Sequence, residues 1–185
     1  MDGSTARKKL TVPEFIDWAD AQSDETRYEL LNGEIVAQAS PLRRHARVIA
    51  GIVSALDESL PSRCEVLTGS GIAVEDDSAL EPDVVVFCGN RPDDDTRYDG
   101  SPAIVVEVLS PSTASRDMGV KLAAYQRIPS LDHYLIVHPV ERFVLIHSAG
   151  PERDWSIVRV AKEDFALDPP GVTVPFETIF ARLND

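Results

Sequence analysis

The sequence predicts a single α/β domain spanning residues 1–185, with a central mixed β-sheet flanked by helices. Strand-like runs of apolar, β-branched residues alternate with helix-like patterns at the start, in the middle and at the end of the chain. This order is typical of one mixed sheet covered by helices. A length of 185 residues, without an internal repeat, a low-complexity segment or an interdomain linker, fits one domain.

The chain begins with a predicted helix and a predicted β-hairpin. In LTVPEFIDWAD, Thr11 is a suitable N-cap, and Glu14 three residues later completes a capping box. RYELLNGEIVAQAS predicts two short strands around its Asn-Gly pair, which is a strong hairpin signal. From Leu42 to about Leu60, apolar residues recur every three or four positions, so a helix is predicted there, ending before a proline.

The rest of the chain is mainly strand-like. The predicted strands are CEVLTG, GIAV, DVVVFC, AIVVEVL, HYLIVH, FVLIHS and WSIVRV. A helix is predicted from Ser115 to Arg127, because SPST interrupts the preceding strand and Pro129 follows. PFETIFARL predicts a final helix.

The charge of the chain limits its partners. Thirty-one acidic and eighteen basic residues give a formal net charge of −13, which argues against a broad basic surface that binds nucleic acid unaided. A local basic patch or a bound metal ion can still dominate the field at one site. Arg43, Arg44 and Arg47 form such a local patch, although a solvated helix face explains them more simply.

Cysteine content and hydropathy predict a soluble cytoplasmic protein. The two cysteines, Cys64 and Cys88, lie in apolar strand-like runs. We therefore expect buried thiols in a reducing compartment rather than a disulfide. No segment approaches the roughly 18 apolar residues of a membrane span, so no membrane association is expected.

Glu107 is an unexpected residue within a strand. It interrupts the apolar run from Ile104 to Leu109, and burying an ionised carboxylate costs several kcal/mol unless it is compensated. Asp83 begins a second such run, DVVVFC. If the two strands are neighbours, the two carboxylates form an anionic oxygen pocket of the kind that binds Mg²⁺ or Mn²⁺.

The helix that follows supplies a cation. Asp117, Lys121 and Tyr125 are spaced by four residues and share one helix face. If this face turns towards the strand end, Lys121 can position a water molecule near the carboxylates. We expect Asp117 and Tyr125 to support Lys121.

These motifs resemble a known family. EPDVVVF, VVEVLSPST and DMGVKLAAY are similar to motifs of the PD-(D/E)xK nuclease superfamily, and more closely to those of small stand-alone bacterial restriction endonuclease-like proteins. The similarity covers roughly residues 10 to 145 and includes RYELLNGEIV and HYLIVHP. It implies a restriction-endonuclease-like fold and Mg²⁺-dependent hydrolysis of phosphodiester bonds, with DNA as the expected partner.

The resemblance also implies residue roles. Asp83 and Glu107 would bind the metal with the carbonyl of Val108, and Lys121 would be the catalytic lysine. Glu34 would be an additional acidic group. The superfamily's lysine normally follows the glutamate by two positions on the same strand, where this chain has Leu109, so the lysine acts from the following helix.

Further candidates and alternatives remain open. His45 lies at the start of the predicted second helix and could line the same cleft, although a core histidine is the simpler interpretation. Glu107 could form a structural ion pair with Lys121 without a metal. The fold could serve as a binding or assembly module, or the site could hydrolyse a small phosphodiester. The hairpin edge could also support a homodimer.

Overall fold

The structure, a computed structural model, describes residues 9–23, 26–89, 94–110 and 117–183, and for residues 117 and 118 only the backbone. The helices are α1 (Val12–Asp20), α2 (Arg43–Asp57), α3 (Leu122–Tyr125), which continues a π-helical turn (Asp117–Lys121), and α4 (Phe176–Phe180). The strands are β1 (Tyr28–Leu31), β2 (Glu34–Ala37), β3 (Cys64–Leu67), β4 (Gly71–Val74), β5 (Ser78–Leu80), β6 (Val84–Cys88), β7 (Tyr98–Asp99), β8 (Ile104–Val108), β9 (His133–His138), β10 (Phe143–Ser148), β11 (Ile157–Ala161), β12 (Phe165–Leu167) and β13 (Val172–Val174).

The N-terminal elements form as their local sequence predicts. Thr11 caps α1, and the reciprocal contacts with Glu14 complete the capping box. Strands β1 and β2 pair as an antiparallel hairpin. Asn32 and Gly33 at its turn both have positive φ, at 51° and 81°, which is the conformation that an Asn-Gly turn of this kind requires.

The mixed α/β class is confirmed, but the strands divide into two main sheets rather than one. The larger sheet has the order β11-β10-β9-β8-β6-β3, and the smaller has the order β2-β1-β5-β4-β7. Each contains one parallel pair, β8 with β9 and β4 with β7, among antiparallel pairs. Strands β12 and β13 form a separate hairpin.

The larger sheet is covered on both faces. One face packs against α2, α4 and the β12–β13 hairpin. The other face packs against the smaller sheet and α3. This double cover explains why β8 is buried along its whole length, since a strand between two layers has no solvent-facing side. Glu107 points to the second face, because alternate residues of a strand share a face and Val105, two positions earlier, packs there.

Several elements differ from the sequence-based prediction. Strands β5, β7, β12 and β13 have two or three residues each, too few for an alternating pattern to be recognised. The helix predicted from Ser115 is described only from residue 117, and it begins as a π-helical turn before α3.

The expectation of two free thiols was wrong. Cys64 and Cys88 are paired directly across strands β3 and β6, and a disulfide joins them. The register of these strands decides this pairing, and sequence alone did not reveal it. A disulfide is uncommon in a reducing compartment. It therefore does not support the expected cytoplasmic location, which stays a prediction. Among the described residues, no helix is long and apolar enough to cross a membrane.

Candidate active site

Two carboxylates meet where β6 begins and β8 ends. The register pairs Val84 with Val106, which brings Asp83, just before β6, opposite Glu107. The backbone N–H of Val108 donates a hydrogen bond to Asp83 Oδ2 at 2.7 Å and holds this carboxylate at the strand end. Asp83, Glu107 and Val108 all line a cleft of about 950 Å³. The structure therefore brings together the pair that the sequence suggested.

Lys121 lies at the base of this cleft and bridges two buried carboxylates. Its Nζ atom is 2.8 Å from Glu107 Oε1 and 2.9 Å from Glu29 Oε1. The side chain is only 3% exposed. It comes from the end of the π-helical turn, which faces the second side of the larger sheet. Lys121 thus reaches Glu107 from the helix, as expected.

Tyr125 supports Glu107 from one helical turn further along. Its hydroxyl donates a hydrogen bond to Glu107 Oε1 at 2.9 Å. Complete burial raises the pKa of Tyr125 well above its usual value, and the neighbouring Glu107 carboxylate raises it further. The phenol therefore keeps its proton and remains a donor. The expected support from Asp117 concerns a side chain that lies outside the described residues.

Glu29 is the site residue that sequence analysis missed. It is fully buried in β1 and accepts hydrogen bonds from Lys121, from the backbone N–H of Glu81 at 2.8 Å and from the Gln38 side chain. The signal available in the sequence was the same as for Glu107, an acidic residue beside apolar residues in a predicted strand. A carboxylate next to consecutive leucines in a short strand is unusual unless it has buried partners.

Glu34 does not join this cluster. It pairs with Leu31 at the turn end of the hairpin, and its side chain is exposed. Opposed residues in an antiparallel pair point to the same face, so Glu34 lies on the face of Glu29 but further along, beyond the cleft. The acidic group that the hairpin contributes at the site is Glu29 instead.

His45 connects α2 to the carboxylate pair. Its Nε2 atom lies 3.1 Å from Asp83 Oδ2, and its side chain is 13% exposed at the cleft wall. Helix α2 packs its other side on the larger sheet through Val48 and Ile52. This packing holds the first turn of α2 beside the start of β6.

The cleft contains oxygen donors that could hold a metal ion. Glu29 and Glu107 both contact Lys121, and Asp83 adds a third carboxyl group at the cleft. No three His, Cys, Asp or Glu side chains in the described part of the chain form a metal-binding group. Two carboxylates are nevertheless the number with which proteins commonly hold Mg²⁺, because water and substrate phosphate oxygens complete its shell. The donors present therefore fit such an ion.

Comparison with known proteins identifies the family of this chain. Residues 12–178 match the model of the Uma2 family, which is described as "Putative restriction endonuclease". The chain belongs to the Uma2 family. The matched range includes Glu29, Asp83, Glu107 and Lys121.

Two relatives and one crystal structure resemble this Uma2 protein along most of its length. "Uncharacterized protein slr1290" of Synechocystis sp. is 27% identical over 180 residues, which is 95% of this chain and 93% of the relative. "Uncharacterized protein sll1609" of the same organism is 24% identical over 166 residues, 87% of this chain and 93% of that one. The crystal structure of a "putative nuclease belonging to DUF820" from Anabaena variabilis superposes with a TM-score of 0.73 at 18% identity, covering 95% of this chain and 99% of that one. The superposition shows that the two share a fold.

Proposed function

We propose that this Uma2 protein is a metal-dependent endonuclease that hydrolyses phosphodiester bonds in DNA. The observation that supports this most strongly is the buried Lys121, held between Glu107 and Glu29 at the base of a cleft that Asp83 also lines. Placing an ammonium group and three carboxyl groups from three different strand segments around one cleft is costly for folding. A catalytic use explains this arrangement better than a structural ion pair does, because one carboxylate would suffice to pair the lysine.

Each residue then has a defined role. Asp83 and Glu107 would hold Mg²⁺ or Mn²⁺, with the carbonyl of Val108 as a third protein ligand. The bound ion would lower the pKa of a water molecule and stabilise charge on the phosphate. Lys121 orients the attacking water, Glu29 and Tyr125 fix the positions of Lys121 and Glu107, and His45 fixes Asp83.

Metal binding is tested by thermal unfolding in EDTA, Mg²⁺ and Mn²⁺. We expect both ions to raise the midpoint of the wild type, since a ligand at a hundred times its dissociation constant stabilises by about 2.7 kcal/mol. Asp83→Asn and Glu107→Gln should lose this response. Glu163→Gln removes the same charge from an exposed position and is the matched control. A wild type that ignores millimolar metal would contradict the metal site.

Catalysis is tested on supercoiled plasmid, short duplexes and a small phosphodiester. The proposal expects metal-dependent nicking by the wild type and by Glu163→Gln, and its loss in Asp83→Asn. Hydrolysis of the small phosphodiester with no cleavage of DNA would instead support an enzyme for small substrates. Metal-independent stability together with no hydrolysis would support a binding or assembly module.

A further inference from the structure

Three neighbouring arginines at the start of α2 differ from the other arginines of the described chain. Elsewhere the guanidinium groups have partners, such as Glu81 for Arg27, Asp20 for Arg97 and Asp77 for Arg127. Within the described residues, no hydrogen bond or ion pair holds the exposed side chains of Arg43, Arg44 and Arg47. A chain with a net charge of −13 thus leaves these three cations available on the first two turns of α2.

These arginines lie on the helix that forms one wall of the candidate active site. The cleft reaches from Lys121 to the first turns of α2, where Leu42, His45 and Ala46 line it. Arg43 and Arg47 directly follow Leu42 and Ala46, so each lies about 100° further around the helix, and none of the three arginines lines the cleft itself. His45, between Arg44 and Ala46, contacts Asp83 at 3.1 Å. The arginine cluster and the contact with the carboxylate pair therefore lie at the same end of α2, on different sides of the helix.

The spacing of the cluster suits a phosphate backbone. Four residue steps, from Arg43 to Arg47, rise about 6 Å along the helix. Duplex DNA carries one charge per about 1.7 Å of axis, so a segment of this length presents about three phosphates. Guanidinium groups bind phosphate oxygens through paired hydrogen bonds and are weakly hydrated, which suits them to this contact.

We propose that Arg43, Arg44 and Arg47 form the DNA-docking surface of this protein and hold a strand so that it enters the cleft beside His45. This inference rests on the proposed function, because it identifies how the nuclease substrate would be bound. It also explains how a strongly acidic protein can approach a polyanion, since three neighbouring cations attract DNA locally although the net charge is negative.

Binding of a fluorescent DNA duplex, measured by anisotropy over a salt series, tests the surface. The variant Arg43→Ala/Arg44→Ala/Arg47→Ala should bind on the order of a hundredfold more weakly than the wild type at about 0.1 M salt. Its slope of log affinity against log salt should be smaller by about 2.7, because each lost phosphate contact removes about 0.9. Arg43→Lys/Arg44→Lys/Arg47→Lys keeps the charges and should keep most of the slope.

A matched control removes three positive charges elsewhere. The control variant Arg142→Ala/Arg159→Ala/Lys162→Ala replaces residues in or next to β10 and β11, which lie at the edge of the larger sheet that is far from β6. It should leave the slope of log affinity against log salt at the wild-type value. Circular dichroism and unfolding midpoints check that each variant folds.

Binding and cleavage are read separately, in EDTA and in Mg²⁺, by running the recovered DNA on a gel. DNA binding that depends on the three arginines supports the docking surface even if no strand is cut, in which case only the proposed activity fails. The docking surface is contradicted if the wild type does not bind DNA, if the two alanine triple variants are affected equally, or if the arginines instead mediate binding to anionic lipid vesicles.

Discussion

The ammonium group of Lys121 shows how much one residue can determine at this site. It is within hydrogen-bond distance of Glu29 and Glu107, which come from different sheets. The same contact therefore joins the smaller sheet, the larger sheet and the helical segment after residue 117. A residue in this position serves stability and chemistry together, and substitutions must be designed to separate the two.

Replacing Lys121 by methionine tests its structural contribution. Two buried carboxylates would lose the cation between them, and breaking such a buried pair costs about 3–5 kcal/mol. We expect Lys121→Met to lower the free energy of unfolding by this amount in urea denaturation. Lys162→Met is the control, since Lys162 is exposed and surface changes usually stay within about 0.5 kcal/mol. Equal stability of the two variants would show that the buried bridge contributes nothing to stability.

Individual site residues could be predicted from sequence when their position was chemically unusual. Glu107 interrupts an apolar run, and Asp83 begins another, so the cost of burying a charge identified both. Glu29 was missed because its strand has only four residues, and the family resemblance had pointed to Glu34 beyond the turn. The two leucines beside Glu29 were the local signal, but which acid of a hairpin is buried depends on the layer packed against it, and that layer is set by the tertiary fold.

At the scale of elements, α2 combines three surfaces. Val48, Ile52, Ala55 and Leu56 pack in the core, His45 lines the cleft, and the arginines face solvent. Its position is fixed by a close contact with α4. A Cβ atom at Gly51 would lie 2.1 Å from the carbonyl oxygen of Ile179 and 2.8 Å from that of Thr178. Only glycine allows the backbones of the two helices to come this close.

Gly51→Ala should therefore separate α2 from α4. The clash is with backbone, which cannot rotate away, so we expect a loss of about 2–3 kcal/mol of stability. Gly119→Ala is the control, since a Cβ there meets nothing within 4 Å, and it should be neutral or stabilise by up to about 1 kcal/mol. Urea unfolding of both variants measures the difference. A Gly51→Ala protein as stable as the wild type would rule out the tight contact between the helices.

The long periodic elements were predictable, whereas several short ones were not. Strands β8, β9 and β10 and helices α1 and α2 have a clear apolar period or cap, and they occur where expected. Strands of two or three residues are too short to show an apolar period, and β5 and β7 also pair with strands distant in sequence, β1 and β4 respectively. The division into two sheets and the Cys64–Cys88 disulfide likewise depend on which strands pair across the fold, and tertiary packing decides this.

At the scale of the whole molecule, the uneven distribution of charge matters more than its sum. The chain carries a net charge of −13, and the exposed ion pairs, such as Arg97 with Asp20, contribute little to stability. Repulsion among the excess acidic groups therefore opposes the compact state. The homodimer expected from the hairpin edge stays a prediction, and light scattering over a concentration series tests it.

This imbalance predicts opposite salt effects on folding and on DNA binding. Raising NaCl from about 0.01 M to 0.15 M shortens the screening length from about 30 Å to 8 Å. The loss of self-repulsion should raise the unfolding midpoint, while counterion competition weakens DNA binding at the α2 arginines. Both are measured in one NaCl series, by thermal unfolding and by anisotropy. If the midpoint falls with salt, attractive pairs outweigh the repulsion. If binding does not weaken, DNA is held by contacts other than those with phosphate charges, because salt screens ionic contacts between exposed groups.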